Sequence, residues 1–515
     1  MASTPEEKTT RKTRAQSDPS ASVEQIEVRS PLTGAPVGTL DVATPEHLAA
    51  VVAKARYAQK LWAARTLDNR LHIMRRFQSL LWDRQAEIMR TIADETGKSK
   101  PSAYIEVVDI DLMISWLAGN ARRVLRPERR KPLFPLVQYA RVYHKPHGVV
   151  GLIEPWNYPL ALPLMDLIPA LLAGNAVILK PSELTPFTAL HAVDLLHAAG
   201  VPTDIVQVVV GGAEVGAALV DAVDYLAFTG STNAGRQVAV RAAGRLIPYS
   251  LELGGINAMI VLKDADIELA ASGAVAGALE NAGQMCVSIE RVYVEEPLYA
   301  KFVERVAHYA ASVKIGPEYR DDVDLGGLTS TREIERAEQH VADAVAQGAR
   351  LVFGGKRRPD LGPTFFEPVV LADVNHDMQV MCEETFGPMI AIMPVRDLDE
   401  ALRLANDSPY GLSGAVFTRD TRKGEHVALQ LDTGDVAVNR TTALVIGSHS
   451  LPWGGVKHSG NGRRNGPEGL LRFTTTQSIL VDRRWDQQAS PVLTDPFSLM
   501  AINVLRRVRR VLPWI

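Results

Sequence analysis

From Val149 onward the chain repeats one texture: a short, almost wholly apolar run, then a stretch with helical spacing of its apolar positions, then another run. VVGLI (149–153), AVILKP (176–181), VQVVVGG (206–212), YLAFTGS (225–231) and LIPYSLEL (246–253) form a first series. AMIVL (258–262), RVYVEE (291–296), ARLVFGG (349–355), MIAIMPV (389–395), GAVFT (414–418) and DVAVN (435–439) form a second. Strands that are apolar on both faces need cover on both faces. Helical connectors of roughly 10 to 15 residues provide that cover and return the chain for parallel pairing. The texture predicts an α/β fold with parallel sheets, and two series in a chain of 515 residues, too long for one core, predict two such domains. Ligands of parallel sheets bind at the carboxyl ends of the strands. In the first series those ends read EPWN, KPSE, GG, TGS and ELGG, and function is sought there.

Ahead of this texture, apolar positions recur at helical spacing from residue 45 to about 120, and LHIMRRFQSLLWDRQAEIMRTIADETG (71–97) stops on Gly97 as a helix C-terminus does. Between 122 and 148, prolines bound an alternating segment, Val137, Tyr139, Arg141 and Tyr143, that suits a strand or hairpin. After the turn-rich PWGGVKHSGNGRRNGPEG (452–469), the β-branched FTTTQSILVDRR (473–484) reads as a strand of another sheet.

Hydrophobic residues at 46% and charged residues at 22% exclude fibrous and wholly disordered classes. A net charge of −3 gives no general reason for a nucleic-acid partner. The basic cluster Arg122, Arg123, Arg126, Arg129, Arg130 and Lys131 lacks an aromatic stacking platform and reads as a solvated face. Residues 1–22 are polar, without the apolar core of a secretory signal, and read as a disordered tail. The longest apolar stretch, LALPLMDLIPALLAG (160–174), is broken by Pro163, Asp166 and Pro169 and is no membrane span. Two cysteines, Cys286 and Cys382, make neither a disulfide framework nor, without clustered histidines, a zinc site. No metal is expected, and a reducing, cytoplasmic location is.

Three stretches carry candidate chemistry. FTGSTNAG (228–235) ends a strand at Gly230 and Ser231 and opens a helix whose free N–H groups suit a pyrophosphate. Its spacing is not G-x-G-x-x-G, and a plain tight turn reads about as well. LKPSELTP (179–186) places Lys180 for a phosphate or ribose oxygen and Glu183 for both hydroxyls of an adenosine ribose, a role that repels a 2′-phosphate. The bland alternative is Ser182 or Glu183 capping the next helix. In LELGG (251–255) Glu252 ends a strand, and in NAGQMCVSIE (281–290) Cys286 follows a glycine-led turn. A lone cysteine is usually a small core residue. A carboxylate beside a thiol raises its pKa, so Glu252 is poorly suited to making a thiolate and well suited to activating water.

In this order, PWNYPL, KPSELTP, FTGSTNAG, LELGG, GQMC and EETFGP resemble the motifs of the NAD(P)-dependent aldehyde dehydrogenase superfamily, over roughly residues 30 to 482. The resemblance implies a Rossmann-like NAD-binding domain (23–126 and 147–254), a catalytic domain (255–458) and an oligomerisation element (127–146 and 473–484); residues 485–515, beyond the resemblance, read as a C-terminal amphipathic extension. It implies Cys286 as the nucleophile that forms a thiohemiacetal, Asn157 as an oxyanion donor beside the cysteine's own N–H, and Glu252 as the base that hydrolyses the thioester. Cofactor contacts fall on Trp156, Lys180, Ser182, Glu183, Gly230, Ser231, Glu384 and Phe386, with Glu384 holding the nicotinamide ribose and Phe386 beside it. The implied protein is a homodimer or homotetramer oxidising a small-molecule aldehyde with NAD, NADP being the alternative. Cys382 matches no functional position and is left as a structural cysteine.

Two stretches depart from the family pattern. Ile256, Asn257 and Ala258 follow ELGG where relatives carry Lys or Asn and then Ser-Pro or Asn-Pro, and Arg464 stands where relatives often have Glu, which puts any proton relay through that carboxylate in doubt. PWNYPLALPLMDLIPALLAGN is close to one bacterial type of succinic-semialdehyde dehydrogenase. Yet Leu160, Leu162, Leu164 and Met165 are apolar where other semialdehyde-specific relatives place an arginine, so medium- or long-chain apolar aldehydes are favoured over succinate semialdehyde. A CoA-acylating enzyme generally lacks the base, and a non-catalytic binding protein has no use for Cys286, Asn157 and Glu252 together. In the tail PFSLMAINVLRRVRRVLPWI (496–515), Phe497, Met500, Val504, Leu505, Val508, Val511 and Leu512 recur every three or four residues, with Arg506, Arg507, Arg509 and Arg510 mostly to the other side. It reads as an amphipathic basic helix: packed on a subunit, capping the substrate funnel, or lying peripherally on an anionic membrane.

Overall fold

The computed structural model describes residues 24–132, 135, 137–441, 448–483 and 496–511. The tail expected at 1–22, and Leu512 of the terminal helix, lie outside the described residues. The chain divides into two compact units, one of residues up to 124 and 146–474, the other of 125–145 and 475 onward.

The first unit opens on a hairpin, Gln25–Arg29 against Pro36–Asp41, followed by four helices, Pro45–Ala64, Leu67–Asp83, Gln85–Thr96 and Lys100–Val124. Their ends follow local chemistry. Thr44 and Thr66 cap helix starts with their hydroxyls, the first with Pro45 at the opening position, and Gly97 ends the third helix at φ +78°. The run 71–97 reads as one helix, but it breaks at Arg84 into two.

The first α/β layer is a six-stranded sheet in the order Gly460–Asn461, Tyr249–Glu252, Tyr225–Thr229, Val149–Ile153, Ala176–Lys180, Val206–Val208. All neighbours are parallel except the short edge strand, where Gly460 pairs antiparallel with Glu252. Strand order reverses between Val149–Ile153 and Tyr225–Thr229, which sets a crevice at their carboxyl ends. The second layer is a seven-stranded sheet, Arg350–Gly354, Val369–Ala372, Met389–Val395, Ile289–Glu295, Asn257–Val261, Ser413–Phe417, Asp435–Val438, parallel except for its first strand. Every strand position of Val149–Ile153, Ala176–Lys180, Asn257–Val261 and Ile289–Glu295 is buried; the first three therefore read as nearly continuous apolar runs, while the last also buries Glu290, Arg291 and Glu295. Val369–Ala372 and the opening hairpin carry too little pattern to be read as strands.

In the second unit Thr474–Asp482, Gln138–Pro146 and Glu128–Arg130 form a three-stranded sheet, the last two antiparallel, and Pro496–Val511 is a helix. Among the described residues no helix is long and apolar enough to cross a membrane.

Candidate active site

One cleft gathers most of the candidates. Its walls include Trp156, Asn157, Gly230, Ser231, Glu252, Cys286, Glu384 and Phe386. Trp156 and Asn157 follow the strand Val149–Ile153, and Gly230 and Ser231 follow Tyr225–Thr229, so all four stand at the reversal of strand order. Cys286 and Glu384 come from the other sheet and precede the strands Ile289–Glu295 and Met389–Val395. The carboxyl ends of one sheet thus meet the entry ends of the other. Lys180, Ser182 and Glu183 lie outside this cleft lining, at the end of the next strand of the six-stranded sheet.

The thiol loop is shaped by backbone constraint. Asn281, Ala282 and Gly283 take φ of +50°, +54° and +75° in succession. A Cβ on Gly283 would lie 2.0 Å from the Gly387 carbonyl oxygen, so only glycine fits. Asn257 clamps the far end of the loop, its Nδ2 donating to the carbonyl oxygens of Cys286 at 2.9 Å and Ser288 at 2.7 Å. Asn157 Nδ2 donates to the Gln284 carbonyl at 3.1 Å, which uses one of its two hydrogens. The Cys286 N–H donates to no acceptor among the described residues. Burial, with the Glu252 carboxyl next, pushes the half-buried Cys286 thiol up to about 12. Glu252 is itself pushed up to about 8 by burial, against the pull of Arg464 and Arg472, and neither of its oxygens has a hydrogen-bond partner among the described residues.

The cofactor candidates form a polar set. Ser231 Oγ caps the helix Thr232–Gly244, so that helix's N–H groups open toward the cleft. Gly255 N–H donates to Glu384 Oε1 at 3.0 Å, and burial raises Glu384 to about 7. Phe386 takes φ +53°, tied by Glu290, which accepts from the N–H groups of Thr385 and Phe386, and its ring meets Trp156 edge-on at 5.6 Å. Lys180 Nζ lies 3.7 Å from Glu183 Oε2. The capping alternative for Ser182 and Glu183 fails: the helix Pro186–Ala199 is capped by Glu95, whose oxygens accept from Phe187 N and Thr188 N, leaving the Glu183 carboxylate half-exposed. The N–H groups of a helix N-terminus can donate to phosphates, and the Glu183 and Glu384 carboxylates can accept from ribose hydroxyls, which fits a dinucleotide. Arg332 and Arg336, on the helix Thr331–Ala346, also line the cleft; no motif in the sequence singles them out.

Cys286 and Leu162 also line a second cavity, with Ala161, Met165, Met285, Val287, Trp453 and Ile105. Of the four apolar positions singled out in the sequence, Leu162 and Met165 reach this lining, whereas Leu160 and Leu164 are packed into the core. The cavity's charged lining is acidic: Glu106, Asp109 and Glu280. Glu106 pairs with buried Lys98 at 2.5 Å and caps the helix Ala161–Ala173 through the N–H groups of Leu160 and Ala161. Glu280 accepts from the Tyr158 hydroxyl. Burial pushes Asp109 up to about 8, with Glu106 adding to the shift, and its Oδ1 lies 3.4 Å from His449 Nε2.

The departures also resolve. Ile256 is buried, and its carbonyl accepts two hydrogen bonds from Arg291, while the neighbouring Asn257 is the clamp on the thiol loop. Arg464 is buried and paired to Asp166. Cys382 is an exposed residue donating to the His376 carbonyl, not a core thiol.

The Aldehyde dehydrogenase family profile matches residues 18–479. A putative succinate-semialdehyde dehydrogenase [NADP(+)] 2 of Mycobacterium ulcerans (strain Agy99) is 42% identical over 93% of this chain and 92% of its own length. A 4,4'-diapolycopene aldehyde oxidase of Methylomonas sp is 40% identical over 88% of this chain and 85% of its own. The crystal structure of Mycobacterium tuberculosis aldehyde dehydrogenase complexed with NAD+ superposes with a TM-score of 0.85 at 35% identity, covering 91% of this chain and 96% of that one. With the fold shared and the match running over nearly its whole length, the chain belongs to the aldehyde dehydrogenase family and is an oxidoreductase that acts on aldehydes with NAD(P).

Proposed function

We propose that this chain oxidises an uncharged, largely apolar aldehyde to its carboxylic acid, with Cys286 as nucleophile, Asn157 as oxyanion donor and Glu252 as hydrolytic base. The observation that carries this reading is that Cys286 opens both on the cleft of Trp156, Glu384 and Phe386 and on the apolar cavity of Leu162, Met165 and Trp453.

Cys286 first gives up its S–H proton to solvent; the thiolate Sγ then attacks the aldehyde carbon, and the carbonyl electron pair moves to oxygen. The free Cys286 N–H and the second hydrogen of Asn157 Nδ2 meet that oxyanion; one such donor is worth ~3 to 4 kcal/mol. NAD(P), when bound, supplies an acceptor for the hydride of the aldehyde carbon. Trp156, Lys180, Ser182, Glu183, Gly230, Ser231, Glu384 and Phe386 hold it. Glu252 then takes a proton from water as the water oxygen attacks the thioester carbon, the C–S bond breaks and the thiolate leaves. Release to CoA makes no use of such a base. The adenosine ribose hydroxyls go to Glu183, which favours NAD over NADP.

The cavity's charged lining, Glu106, Asp109 and Glu280, offers no cation to a substrate carboxylate, because nearby Lys98 is already paired with Glu106. This supports an uncharged substrate, as does the likeness to a diapolycopene aldehyde oxidase. A second reading, succinate semialdehyde, is favoured by the names of the mycobacterial relatives. The helix Pro496–Val511 adds peripheral contact with an anionic membrane. Met500, Val504 and Val508, four residues apart, are 59%, 54% and 36% exposed, and Arg506 and Arg510 stand to the other side. The working protein is a homo-oligomer, supported by the edge strand Thr474–Asp482, whose Ile479 and Leu480 are exposed.

Glu252→Gln retains a single-turnover burst of NADH and loses steady-state turnover, while Cys286→Ala loses both. In the wild type, steady-state turnover rises with pH through about 8, because the base works only when ionised. Undiminished turnover in Glu252→Gln contradicts the assignment. Glu183→Ser narrows the preference for NAD over NADP in kcat/KM; a wild type that prefers NADP refutes the role given to Glu183. Across propanal, hexanal, hexadecanal and succinic semialdehyde, kcat/KM is lowest for the semialdehyde. A chain ending at residue 495 loses binding to anionic vesicles and loses activity on hexadecanal more than on propanal. A semialdehyde optimum favours the second reading, and unchanged vesicle binding removes the membrane role.

A further inference from the structure

Behind Glu252 lies a buried group of charges that takes no part in the catalytic steps. Arg464, 1% exposed, forks onto Asp166 of the helix Ala161–Ala173, Nε to Oδ1 and Nη2 to Oδ2, both at 2.9 Å. Its Nη2 also donates to Thr229 Oγ1 at 2.6 Å and lies 3.6 Å from Glu154 Oε2. Arg472 donates to the same Asp166 and to Ser250 Oγ. Thr229 is the register partner of Glu252 on the adjacent strand, and Glu154 directly follows the next strand, Val149–Ile153. Trp453 and Arg464 exchange backbone hydrogen bonds, and a Cβ on the intervening Gly454 would lie 2.8 Å from Glu252 Oε1. The base therefore rests against the same backbone bridge that carries the guanidinium.

Among the described residues both oxygens of Glu252 and Arg464 Nη1 are buried without a hydrogen bond, and the buried Glu154 carboxyl has Arg464, Thr229 and Asp166 as polar neighbours. Unpartnered buried atoms on complementary groups are costly unless a charge or proton is arranged among them. Two guanidinium groups face three carboxyls, and Asp166 takes one full negative charge by its bidentate pair. One further negative charge balances the cluster, and two carboxyls compete for it.

We propose that Arg464 is the positioning residue of the hydrolytic step, and that Glu252 and Glu154 share one negative charge opposite it, so that ionising one keeps the other protonated. The inference rests on Glu252 being the base. Burial pushes both carboxyls to about 8, the Asp166 carboxylate adds to the rise of Glu154, and Arg464 pulls both back. The other groups that act on Glu252 are Arg472, Asp166 and half-buried Arg463, whose guanidinium donates to the Gly455 and Gly462 carbonyls. The Cys286 thiol faces it across the cleft, and Tyr225, buried on the adjacent strand, stays neutral.

The two neighbours act in opposite directions, which no packing defect reproduces. Glu154→Gln removes the competitor and moves the alkaline rise of steady-state kcat to lower pH. Removing the cation together with its partner, in Arg464→Met/Asp166→Asn, moves that rise to higher pH, on the order of one unit, or about tenfold in kcat at neutral pH. Arg464→Lys keeps the wild-type position. The NADH burst and the melting temperature are recorded for each variant, so that a variant that fails to fold is recognised; Glu154→Gln and Arg464→Lys alone then decide the matter. Glu252→Gln runs alongside: if it keeps turnover, the base itself is misassigned. If it loses turnover while folded Glu154→Gln titrates like the wild type, the shared charge is overturned and the base stands.

Discussion

The thiol is held in place by one amide. Asn257 Nδ2 ties the carbonyls of Cys286 and Ser288 to the start of a central strand of the seven-stranded sheet, while Asn257 Oδ1 accepts from Ser413 N on the next strand. With its carbonyl pinned from behind, Cys286 lines the cleft, and its N–H is left without an acceptor among the described residues. The left-handed run Asn281–Gly283 delivers the chain to that position, and the close approach of Gly283 to the Gly387 carbonyl ties the thiol loop to the segment carrying Glu384 and Phe386. Backbone strain of this kind persists only where the surroundings over-determine it, and here two sheets do.

Low polarity around that loop governs the chemistry. Glu252, Glu154, Glu290 and Asp109 are all raised to about 8 and Glu384 to about 7, each by burial first. A site so deeply buried stabilises few isolated charges, so each ionisation needs a fixed partner. Glu290 finds the N–H groups under Phe386, and Asp166 finds two guanidinium groups. The same reasoning underlies the proposed substrate: a cavity of apolar side chains and protonatable acids receives a neutral chain more readily than a carboxylate.

Most of the scaffold is legible in the sequence because strands buried on both faces leave nearly continuous apolar runs, and because the third helix ends on Gly97, visible in the letters. Val369–Ala372 escapes such reading: four apolar residues without a period do not separate strand from helix. The site residues that carry ordered motifs lie in one cleft, apart from Lys180, Ser182 and Glu183, which stand at the next strand end. Long-range partners stay hidden. In the sequence Asn257 reads as a departure in packing, Glu154 as part of a strand end, and the pairing of Arg464 with Asp166 joins positions 298 residues apart. No local pattern encodes such pairs; only the return of the chain brings them together.

The central claim is that the acyl group passes through Cys286 and is released by Glu252. Intact-mass and peptide mass spectrometry of the Glu252→Gln protein, mixed with hexanal and NAD and quenched in acid, tests it most directly. The account predicts one hexanoyl group per chain, on the peptide containing Cys286. An unmodified protein after a full NADH burst, or an acyl group on the peptide containing Cys382, would contradict it.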